Sequence, residues 1–273
     1  MKCIIGARGR LGQALERQFA SEDVHCLDRA LYQDWAEAGA AERIAQFFAP
    51  WAGSSGTIFV ASGVLDPRMP AAAHARINLD LPRNIMQGAA RCNLTVVSFG
   101  TVMETLQARP NSYVQSKIDL ANYVADAAAA GAAVAHLRVH TLYGEGEPSP
   151  FMFLGQMLAA LRSGAAFDMT LGKQLREYHH VADEARAIAV LADAGLRGVL
   201  DLSHGAPVTL RALAGAVFRA FDVEPQLRLG AVAEPAEENY STVFRRHPAL
   251  PSTHYRPTIP AVAHYLKSLC QTA

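Results

Sequence analysis

The sequence predicts an α/β protein with a doubly wound parallel sheet, followed by a smaller C-terminal region. Short apolar runs alternate with helical patterns over the first half of the chain, and these helices are long enough to serve as crossover connections. After the Gly- and Pro-rich segment 143–150 the alternation becomes less regular. We therefore expect one domain over residues 1–142. A second should cover residues 143–273, with a segment near 177–203 returning to the first.

Each element is predicted from its local pattern, because strands appear as short apolar runs and helices as apolar residues repeated every three or four positions. The predicted strands are 3–5, 24–27, 57–61, 94–99, 134–139 and 199–203. The predicted helices lie near 11–20, 40–49, 70–91, 112–130 and 210–221.

The composition argues against several classes of protein. Lys+Arg and Asp+Glu both number 25, so the chain lacks the basic excess of a nucleic-acid binder. No apolar run approaches the roughly 18 residues of a membrane span. The chain opens with a predicted strand, which leaves no room for a signal peptide, and its four scattered cysteines show no CxxC spacing. We expect a cytoplasmic protein with reduced thiols.

A glycine-rich loop follows the first predicted strand. Gly6, Gly9 and Gly12 form a GxxGxxG pattern between that strand and the next helix. Such glycines allow a tight turn and let a pyrophosphate approach the helix N-terminus, where free N–H groups favour an anion. Asp28 ends the second strand 22 residues after Gly6, close to the roughly 20 expected for a carboxylate that binds ribose. These features predict a Rossmann-type dinucleotide-binding domain, and a glycine turn made only for packing is the alternative.

The same segments leave the identity of the dinucleotide open. Asp28 favours NAD, because a carboxylate at the ribose would repel a 2′-phosphate. Arg8 and Arg29 favour NADP, because either guanidinium could pair with that phosphate. We expect NAD or NADP, with a narrow preference for NAD.

Tyr113 and Lys117 lie four residues apart in the helix predicted over 112–130, and so on one face of it. A tyrosine with the ordinary pKa of about 10 is a poor acid–base catalyst at neutral pH. A lysine ammonium one turn away, helped by the positive charge of a nicotinamide, would lower that pKa. Ser98 and Thr101, at the end of the fourth strand, offer hydroxyls for a substrate oxygen. Thr101 is preferred because it lies just past the strand end.

Together these motifs resemble the extended short-chain dehydrogenase/reductases, the NAD-dependent epimerase/dehydratase group that modifies nucleotide sugars. The resemblance extends over roughly residues 2 to 265. Further segments similar to those of the family lie at 76–86, 137–144, 171–183 and 207–214. The resemblance implies hydride transfer at a sugar carbon, with Tyr113 exchanging the proton, Lys117 lowering its pKa and Thr101 orienting the oxygen. It also implies a C-terminal substrate-binding cap and a homodimer through the Tyr113 helix.

The predicted binding residues follow from the motifs and from this resemblance. Those expected to bind the cofactor are Gly6, Arg8, Gly9, Arg10, Leu11, Gly12, Asp28, Arg29, Ala61, Ser62, Gly63, Asn78, Tyr113 and Lys117. Those expected to bind the substrate are Ser98, Arg176, which corresponds to an arginine that touches the diphosphate in the family, and Arg245. Asp34 is a candidate adenine contact.

The chain also departs from the family pattern. Only 12 positions separate Thr101 from Tyr113, where the family usually has a longer loop, and a customary Ser-Ser pair is replaced by Phe99-Gly100. The short loop is similar to the dTDP-4-dehydrorhamnose reductase branch, and the motifs are also shared with the UDP-galactose 4-epimerase branch. Glu104 is out of register with the acid–base pair of the dehydratases, which argues against dehydration.

Three alternatives remain open at the level of sequence. A ketoreductase and an epimerase share the first half-reaction, so the motifs fit both. The shortened loop also fits an oxidoreductase for a non-sugar carbonyl or alcohol, and some relatives of the fold bind a dinucleotide as non-catalytic regulators.

We expect no metal site at His179, His180 and Asp183. The two histidines would point to opposite faces of an extended segment, and Asp183 is expected to cap the following helix.

Overall fold

The computed structural model describes residues 1–66, 68–221, 226–251 and 254–271. The chain forms two compact units. The first unit comprises Met1–Val139 and Ala185–Leu202, and the second comprises His140–Glu184 and Ser203–Ala273. Within the described ranges, every helix is too short or too polar to span a membrane.

The strands of the described residues are short, as expected for the segments between crossover helices. They are β1 Lys2–Ile5, β2 Val24–Leu27, β3 Thr57–Val60, β4 Thr95–Thr101, β5 Val134–Val139, β6 Thr141–Tyr143, β7 Phe167–Met169, β8 Leu175–Arg176, β9 Tyr178–His180, β10 Gly198–Leu202, β11 Val208–Thr209 and β12 Leu227–Leu229.

The helices follow the predicted positions closely in the first unit. The described α-helices are α1 Arg10–Gln18, α2 Arg29–Tyr32, α3 Ala41–Phe48, α4 Ala71–Ala75, α5 Leu81–Ala90, α6 Ser112–Ala129, α7 Phe153–Ser163, α8 Val181–Asp193, α9 Leu210–Ala220 and α10 Thr258–Gln271. The single helix predicted over 70–91 is interrupted by a π-helical turn over Arg76–Asp80, a feature that often marks functional segments.

A six-stranded parallel sheet forms the centre of the first unit, which confirms the predicted fold class. The strand order is β10-β5-β4-β3-β1-β2, and every neighbouring pair is parallel. The chain moves outward from β1 to β2 and then returns to place β3 on the other side of β1. This reversal creates a switch point at the carboxyl ends of β1 and β3, where open α/β sheets bind their ligands.

The core of the first unit joins the sheet to α3 and α5. Ile44 and Phe48 of α3 and Ile85 of α5 are buried with the strand residues Ile5 and Ile58. Burying each such side chain contributes roughly 1.5–3 kcal/mol of apolar transfer free energy. This packing holds the carboxyl ends of the strands, and the loops that follow them, in fixed positions.

The second unit has its own core around α7, α9 and α10. Three small strand pairs surround these helices. Strands β6 and β9 are parallel, β8 and β11 are antiparallel, and β7 and β12 are parallel. The predicted helix at 210–221 is observed as α9.

Candidate active site

The glycine-rich loop turns sharply between β1 and α1. Gly6 has a φ of +90°, and a Cβ on it would come within 2.5 Å of the amide nitrogen of Ser62. A Cβ on Gly12 would overlap the carbonyl oxygen of Gly6. Gly9 is the N-cap of α1, and among the described residues no side chain caps that helix. No capping side chain therefore competes with a bound anion for the first-turn N–H groups.

A cavity of about 490 Å³ lies beside this loop. Its walls come from the glycine loop, the end of β2 and the segment after it, the loop after β3, the π-helical turn and the start of α5: Gly6, Ala7, Arg8, Gly9, Leu27, Arg29, Tyr32, Gln33, Asp34, Ala36, Ala61, Ser62, Gly63, Val64, Arg76, Ile77 and Leu81. The switch point thus brings seven of the fourteen predicted cofactor residues, from three separate segments, to one cavity, and Asp34 lines it too.

Other predicted cofactor residues lie next to the cavity wall rather than in it. Arg10, Leu11 and Gly12 form the first turn of α1. Asp28 immediately precedes α2 and caps it, because its Oδ1 accepts the backbone N–H of Ala30 at 3.0 Å. These residues hold the loop and helix ends that the cavity borders.

Asp28 also forms an ion pair with Arg8. The Nη2 of Arg8 donates to the Oδ2 of Asp28 at 2.7 Å, and both side chains are largely exposed. Arg8 and Arg29 line the cavity. The acidic group that favours NAD and the basic groups that favour NADP are therefore present together at this end of the first unit.

Asn78 connects the loop after β3 to helix α6. Asn78 is fully buried. Its side chain accepts the backbone N–H of Val64 at 2.9 Å and donates to the carbonyl oxygen of Val64 at 3.0 Å and to Ser116 Oγ at 3.2 Å. Ser116 Oγ in turn donates to the carbonyl oxygen of Tyr113 at 2.6 Å. All these partners are protein groups, so Asn78 supports the loop that lines the cavity.

Tyr113 and Lys117 lie one turn apart on α6, as the sequence predicts. The helix begins after Asn111, whose side chain accepts a first-turn backbone N–H at 2.9 Å. Lys117 is 7% exposed, and its Nζ donates a 2.8 Å hydrogen bond to the carbonyl oxygen of Phe99 in β4. The same Nζ would be 3.7 Å from a Cβ on Gly63. The ammonium group therefore reaches the loop that lines the cavity.

Burial shifts the pKa values of both members of this pair. Burial raises the pKa of Tyr113 above its ordinary value, and the negative charge of Glu104 raises it further. Burial lowers the pKa of Lys117 to about 8, against the opposing effect of Glu104. Burial therefore works against the lowering of the Tyr113 pKa that we expect from Lys117 and a nicotinamide, because it removes water from the phenolate.

Thr101 and Ser98 occupy different environments. Thr101 ends β4 and caps the 3-10 turn Val102–Thr105. Its Oγ1 accepts a 3.3 Å hydrogen bond from the amide of Met103, which uses a lone pair and not the hydroxyl hydrogen. Ser98 is 1% exposed, and its hydroxyl is hydrogen-bonded to Nδ1 of His136 at 2.9 Å. The structure thus places Thr101 at the strand end and Ser98 inside the core of the first unit.

The two arginines predicted to bind the substrate lie in the second unit. Arg176 in β8 forms an ion pair with Glu238 through its Nη2, which contacts both carboxylate oxygens. Arg245 is exposed in the irregular segment between β12 and α10. A diphosphate on Arg176 would therefore have to share the guanidinium with Glu238.

The sequence also matches a known family model. The model described as the NAD dependent epimerase/dehydratase family matches residues 3–200, more than half of the chain. The chain belongs to this family. The resemblance predicted from the motifs is thereby confirmed. Among curated protein sequences, none matches this chain significantly.

Solved structures of similar fold cover nearly the whole of this family member. MoeE5, in complex with UDP-glucuronic acid and NAD, is 18% identical over 100% of this chain and 99% of its own, with a TM-score of 0.76. A dTDP-4-dehydrorhamnose reductase from Clostridium acetobutylicum is 19% identical over 98% and 99%, with a TM-score of 0.74. RMD from Pseudomonas aeruginosa, complexed with NADPH, is 16% identical over 99% and 98%, with a TM-score of 0.74. At these identities the similarity shows the fold.

A buried polar network behind Thr101 is the feature of this epimerase/dehydratase family member that motif reasoning missed. One oxygen of Glu104 accepts the Thr101 amide at 2.6 Å and lies 3.3 Å from His136 Nε2. The other accepts Arg138 Nε at 2.9 Å. Burial raises the pKa of Glu104, but these hydrogen bonds more than offset it and hold the pKa below its usual value. Glu104 is therefore an ionised residue of the interior.

This network explains why glycine stands at position 100 in the departure from the family pattern. A Cβ on Gly100 would overlap both the carboxylate of Glu104 and the ring of His136. The spacing of Thr101 and Glu104 is that of a capping box, in which a threonine and a glutamate three residues later exchange hydrogen bonds. That spacing predicts the contact between Glu104 and the Thr101 amide. The contacts of Glu104 with His136 and Arg138 on β5 could not be predicted in this way, because β5 is distant in the sequence.

The start of α8 in this family member differs from the prediction. Helix α8 begins at Val181, so Asp183 lies inside its first turn instead of capping it. The carboxylate of Asp183 accepts Nε and Nη2 of Arg256, both at 2.8 Å. Asp183 therefore forms a tertiary ion pair from within the first turn of α8.

Proposed function

We propose that this protein is an NAD(P)-dependent oxidoreductase or epimerase that transfers hydride at a carbon of a nucleotide sugar. The observation that carries the proposal is the position of Lys117. Its buried ammonium is bound to Phe99 and reaches the Gly63 loop, which lines the cavity at the switch point, and Tyr113 precedes Lys117 by one turn of α6. Membership of the family supports the same class of cofactor and reaction.

The residues at the switch point fit a dinucleotide. Gly6 packs closely against Ser62, and Gly12 packs closely against Gly6. A side chain at either glycine would clash with the backbone of the loop, so the tight turn requires glycine at both positions. The first-turn N–H groups of α1 suit a pyrophosphate. The predicted cofactor residues of the glycine loop, with Asp28, Arg29 and Ala61 to Gly63, would hold it. MoeE5 was solved with NAD and RMD with NADPH, which supports a nicotinamide cofactor of either type.

NAD is the narrowly preferred cofactor. The Asp28 carboxylate would bind ribose hydroxyls and repel a 2′-phosphate. Its ion pair with Arg8 competes with phosphate for that guanidinium. NADP binding would require Arg8 to leave Asp28, or Arg29 to serve in its place.

The bound nicotinamide would supply a site that accepts and returns hydride. Tyr113 takes the proton of the substrate hydroxyl or gives one to the carbonyl oxygen, and it must reach phenolate to act as a base. Lys117 stabilises that phenolate by its charge. The Thr101 hydroxyl donates a hydrogen bond to the substrate oxygen, since its bond to Met103 uses only a lone pair.

The nucleotide-sugar assignment rests on the family and on Arg176 and Arg245. MoeE5 was solved with a UDP-sugar, and the neighbouring reductase is named for a dTDP-sugar.

The contacts of Glu104 bear on the type of reaction. Glu104 is held by Arg138 and by the Thr101 amide, which supports reduction or epimerisation over dehydration.

We retain a homodimer through α6 and a cytoplasmic location as predictions, and light scattering on the purified protein would test the first.

A second candidate is an oxidoreductase for a non-sugar carbonyl or alcohol. The observation that favours it is the ion pair of Arg176 with Glu238, because a guanidinium already neutralised by a carboxylate attracts a diphosphate less. In that case Arg176→Ala would leave turnover of the true substrate unchanged. For a nucleotide sugar it would raise KM at least about tenfold, as expected for a lost charge-assisted contact.

The first experiment is to denature the purified protein and identify any nucleotide that it releases. Tightly bound NAD or NADH would favour an epimerase, which regenerates its cofactor in each cycle. A protein free of nucleotide would favour a reductase, and NADH and NADPH binding would then be compared by fluorescence titration. A panel of UDP- and dTDP-sugars, with simple ketones as the second arm, would follow.

The proposal predicts saturable binding of at least one nicotinamide cofactor and turnover of at least one nucleotide sugar. Turnover of simple ketones alone would support the second candidate. Failure to bind either cofactor when added would refute the proposed function at its first step.

A further inference from the structure

Three side chains of the second unit converge on one buried point. Glu177, His179 and His204 each direct a donor atom to it, and these atoms all lie within 4.8 Å of one another. Oε2 of Glu177 is 3.0 Å from Nε2 of His179 and 3.4 Å from Nδ1 of His204. Glu177 and His179 are each 1% exposed. Two donors come from the segment 177–179 and the third is His204, which is 25 residues away from His179 in the sequence.

His140 points to the same carboxylate oxygen. It is 8% exposed, and its Nε2 is buried without a hydrogen-bond partner among the described residues. That nitrogen lies 3.8 Å from Oε2 of Glu177, and the His140 and His179 rings are 5.1 Å apart. A buried nitrogen without a partner is costly, and an ion beside Glu177 would satisfy it.

Hydrogen bonds from a second layer fix the orientation of these groups. Nδ1 of His179 lies 2.8 Å from Oε2 of Glu184, which also accepts the hydroxyl of Tyr255 at 3.2 Å. Oε1 of Glu177 accepts the hydroxyl of Ser203 at 2.7 Å. A histidine that donates one nitrogen to a carboxylate presents the lone pair of the other, and this arrangement is usual behind metal-binding histidines.

We propose that Glu177, His179 and His204 bind one divalent transition-metal ion, best matched by zinc, with His140 as the fourth ligand. Imidazole nitrogens and a carboxylate oxygen suit zinc, whose bonds to them are about 2.0–2.2 Å long. Ligands at such distances stand roughly 3 to 3.5 Å apart, which matches the separations of Glu177 from His179 and His204. His140 Nε2, at 3.8 Å from Oε2 of Glu177, would need to move closer to serve as the fourth ligand.

The ion would compete with existing protein contacts. Nδ1 of His204 accepts the amide of Ala206 at 3.1 Å, and Oε2 of Glu177 accepts the amide of His204 at 2.8 Å. The alternative to an ion is a proton shared between Nε2 of His179 and Oε2 of Glu177, which lie 3.0 Å apart. The experiment must separate a metal from that proton.

The role of the site is structural and is independent of the proposed catalytic function. Binding would join the strand β9 to the segments at 140 and 203–204 within the second unit. A ligand that binds only the folded chain stabilises it. The proposal therefore predicts metal-dependent stability that does not require the dinucleotide.

The test is zinc binding by the full chain without a polyhistidine tag. After treatment with EDTA, the protein would be incubated with zinc chloride, passed through a desalting column and analysed for metal. We expect about one zinc per chain and a rise in Tm of at least about 3 °C at about 100 µM zinc. Cobalt(II) would give the visible absorption of a four-coordinate site.

The variants His204→Gln and His140→Gln each remove one ligand, and His264→Gln removes an exposed histidine of α10 as the matched control. Zinc affinity should fall at least about tenfold in the first two and stay unchanged in the control. Absence of zinc binding and of a Tm shift in the unaltered protein would overturn the proposal and leave the proton as the bridge. Binding that persists in both ligand variants would also overturn it. The measurements on the unaltered chain decide the matter even where a variant does not fold.

Discussion

Lys117 donates a 2.8 Å hydrogen bond from its Nζ to the main-chain oxygen of Phe99. This bond joins the middle of α6 to the carboxyl end of the central strand β4. It keeps a positive charge inside the first unit, next to the loop that lines the cavity at the switch point. The effect of this buried charge on the free energy of unfolding can be measured.

The stability of the protein should depend on pH through Lys117. Burial lowers the folded-state pKa of Lys117 to about 8 from an ordinary 10.5. Below about pH 8 both the folded and unfolded chains hold this proton, and the destabilising effect of the buried charge is fully present. Between pH 8 and 10.5 the unfolded chain holds more protons, so the free energy of unfolding rises with pH.

The comparison with Lys117→Met isolates this effect, because the variant lacks the titrating group. From pH 8 to 10 the unfolding free energy of the wild type should increase relative to the variant, by at most about 1.4 kcal/mol per pH unit. Urea unfolding of both proteins at four pH values measures it. A difference that stays constant over this range would show that the ammonium is not destabilised by burial.

Tyr113→Phe removes the proposed acid–base group and little else. Turnover should fall at least about a hundredfold, while the affinity for the cofactor should change by no more than a few-fold. Tyr123→Phe, on the same helix, is the matched control and should keep full activity. If Tyr113→Phe left the biological function intact, the protein would be a dinucleotide-binding regulator and not an enzyme of this mechanism.

Gly100→Ala should destabilise the first unit. The added methyl group would overlap the side chains of Glu104 and His136. Both side chains are buried, so neither can move aside easily. Forcing such a group into a packed interior costs about 1–3 kcal/mol. Chemical denaturation would measure it. Gly215→Ala is the control, since its new methyl group meets only the tip of Arg219, and no comparable loss is expected there. Equal effects of the two substitutions would contradict the packing argument.

Asp28→Asn should change the choice of cofactor. Asparagine caps a helix as well as aspartate does, so the substitution removes the charge and keeps the start of α2. The loss of the carboxylate should weaken NADH binding and release Arg8 for a 2′-phosphate. We expect the ratio of the Kd for NADPH to the Kd for NADH to fall at least about tenfold. Asp23→Asn is the control, and an unchanged ratio in Asp28→Asn would argue against this carboxylate as the ribose ligand.

Much of the first unit is predictable from sequence because its signals are local. The six strands of the sheet and the helix of Tyr113 and Lys117 follow from periodicity over a few residues, and Gly6 and Asp28 follow from spacing. These patterns determine the fold class and the switch point, because parallel strands joined by crossover helices have few arrangements. The break in the helix at Arg76–Asp80 had no such signal.

Local patterns are therefore enough to predict a parallel sheet of the dinucleotide-binding type and to place Tyr113 and Lys117 on one face of a helix. The burial of Ser98 against His136, the contact of Glu104 with Arg138 and the raised pKa of Tyr113 depend instead on tertiary packing. These outcomes depend on which distant strands become neighbours and on how much water the packed core excludes. The neighbours of each strand and the exclusion of water both depend on residues throughout the unit. A short segment of the sequence therefore does not predict them.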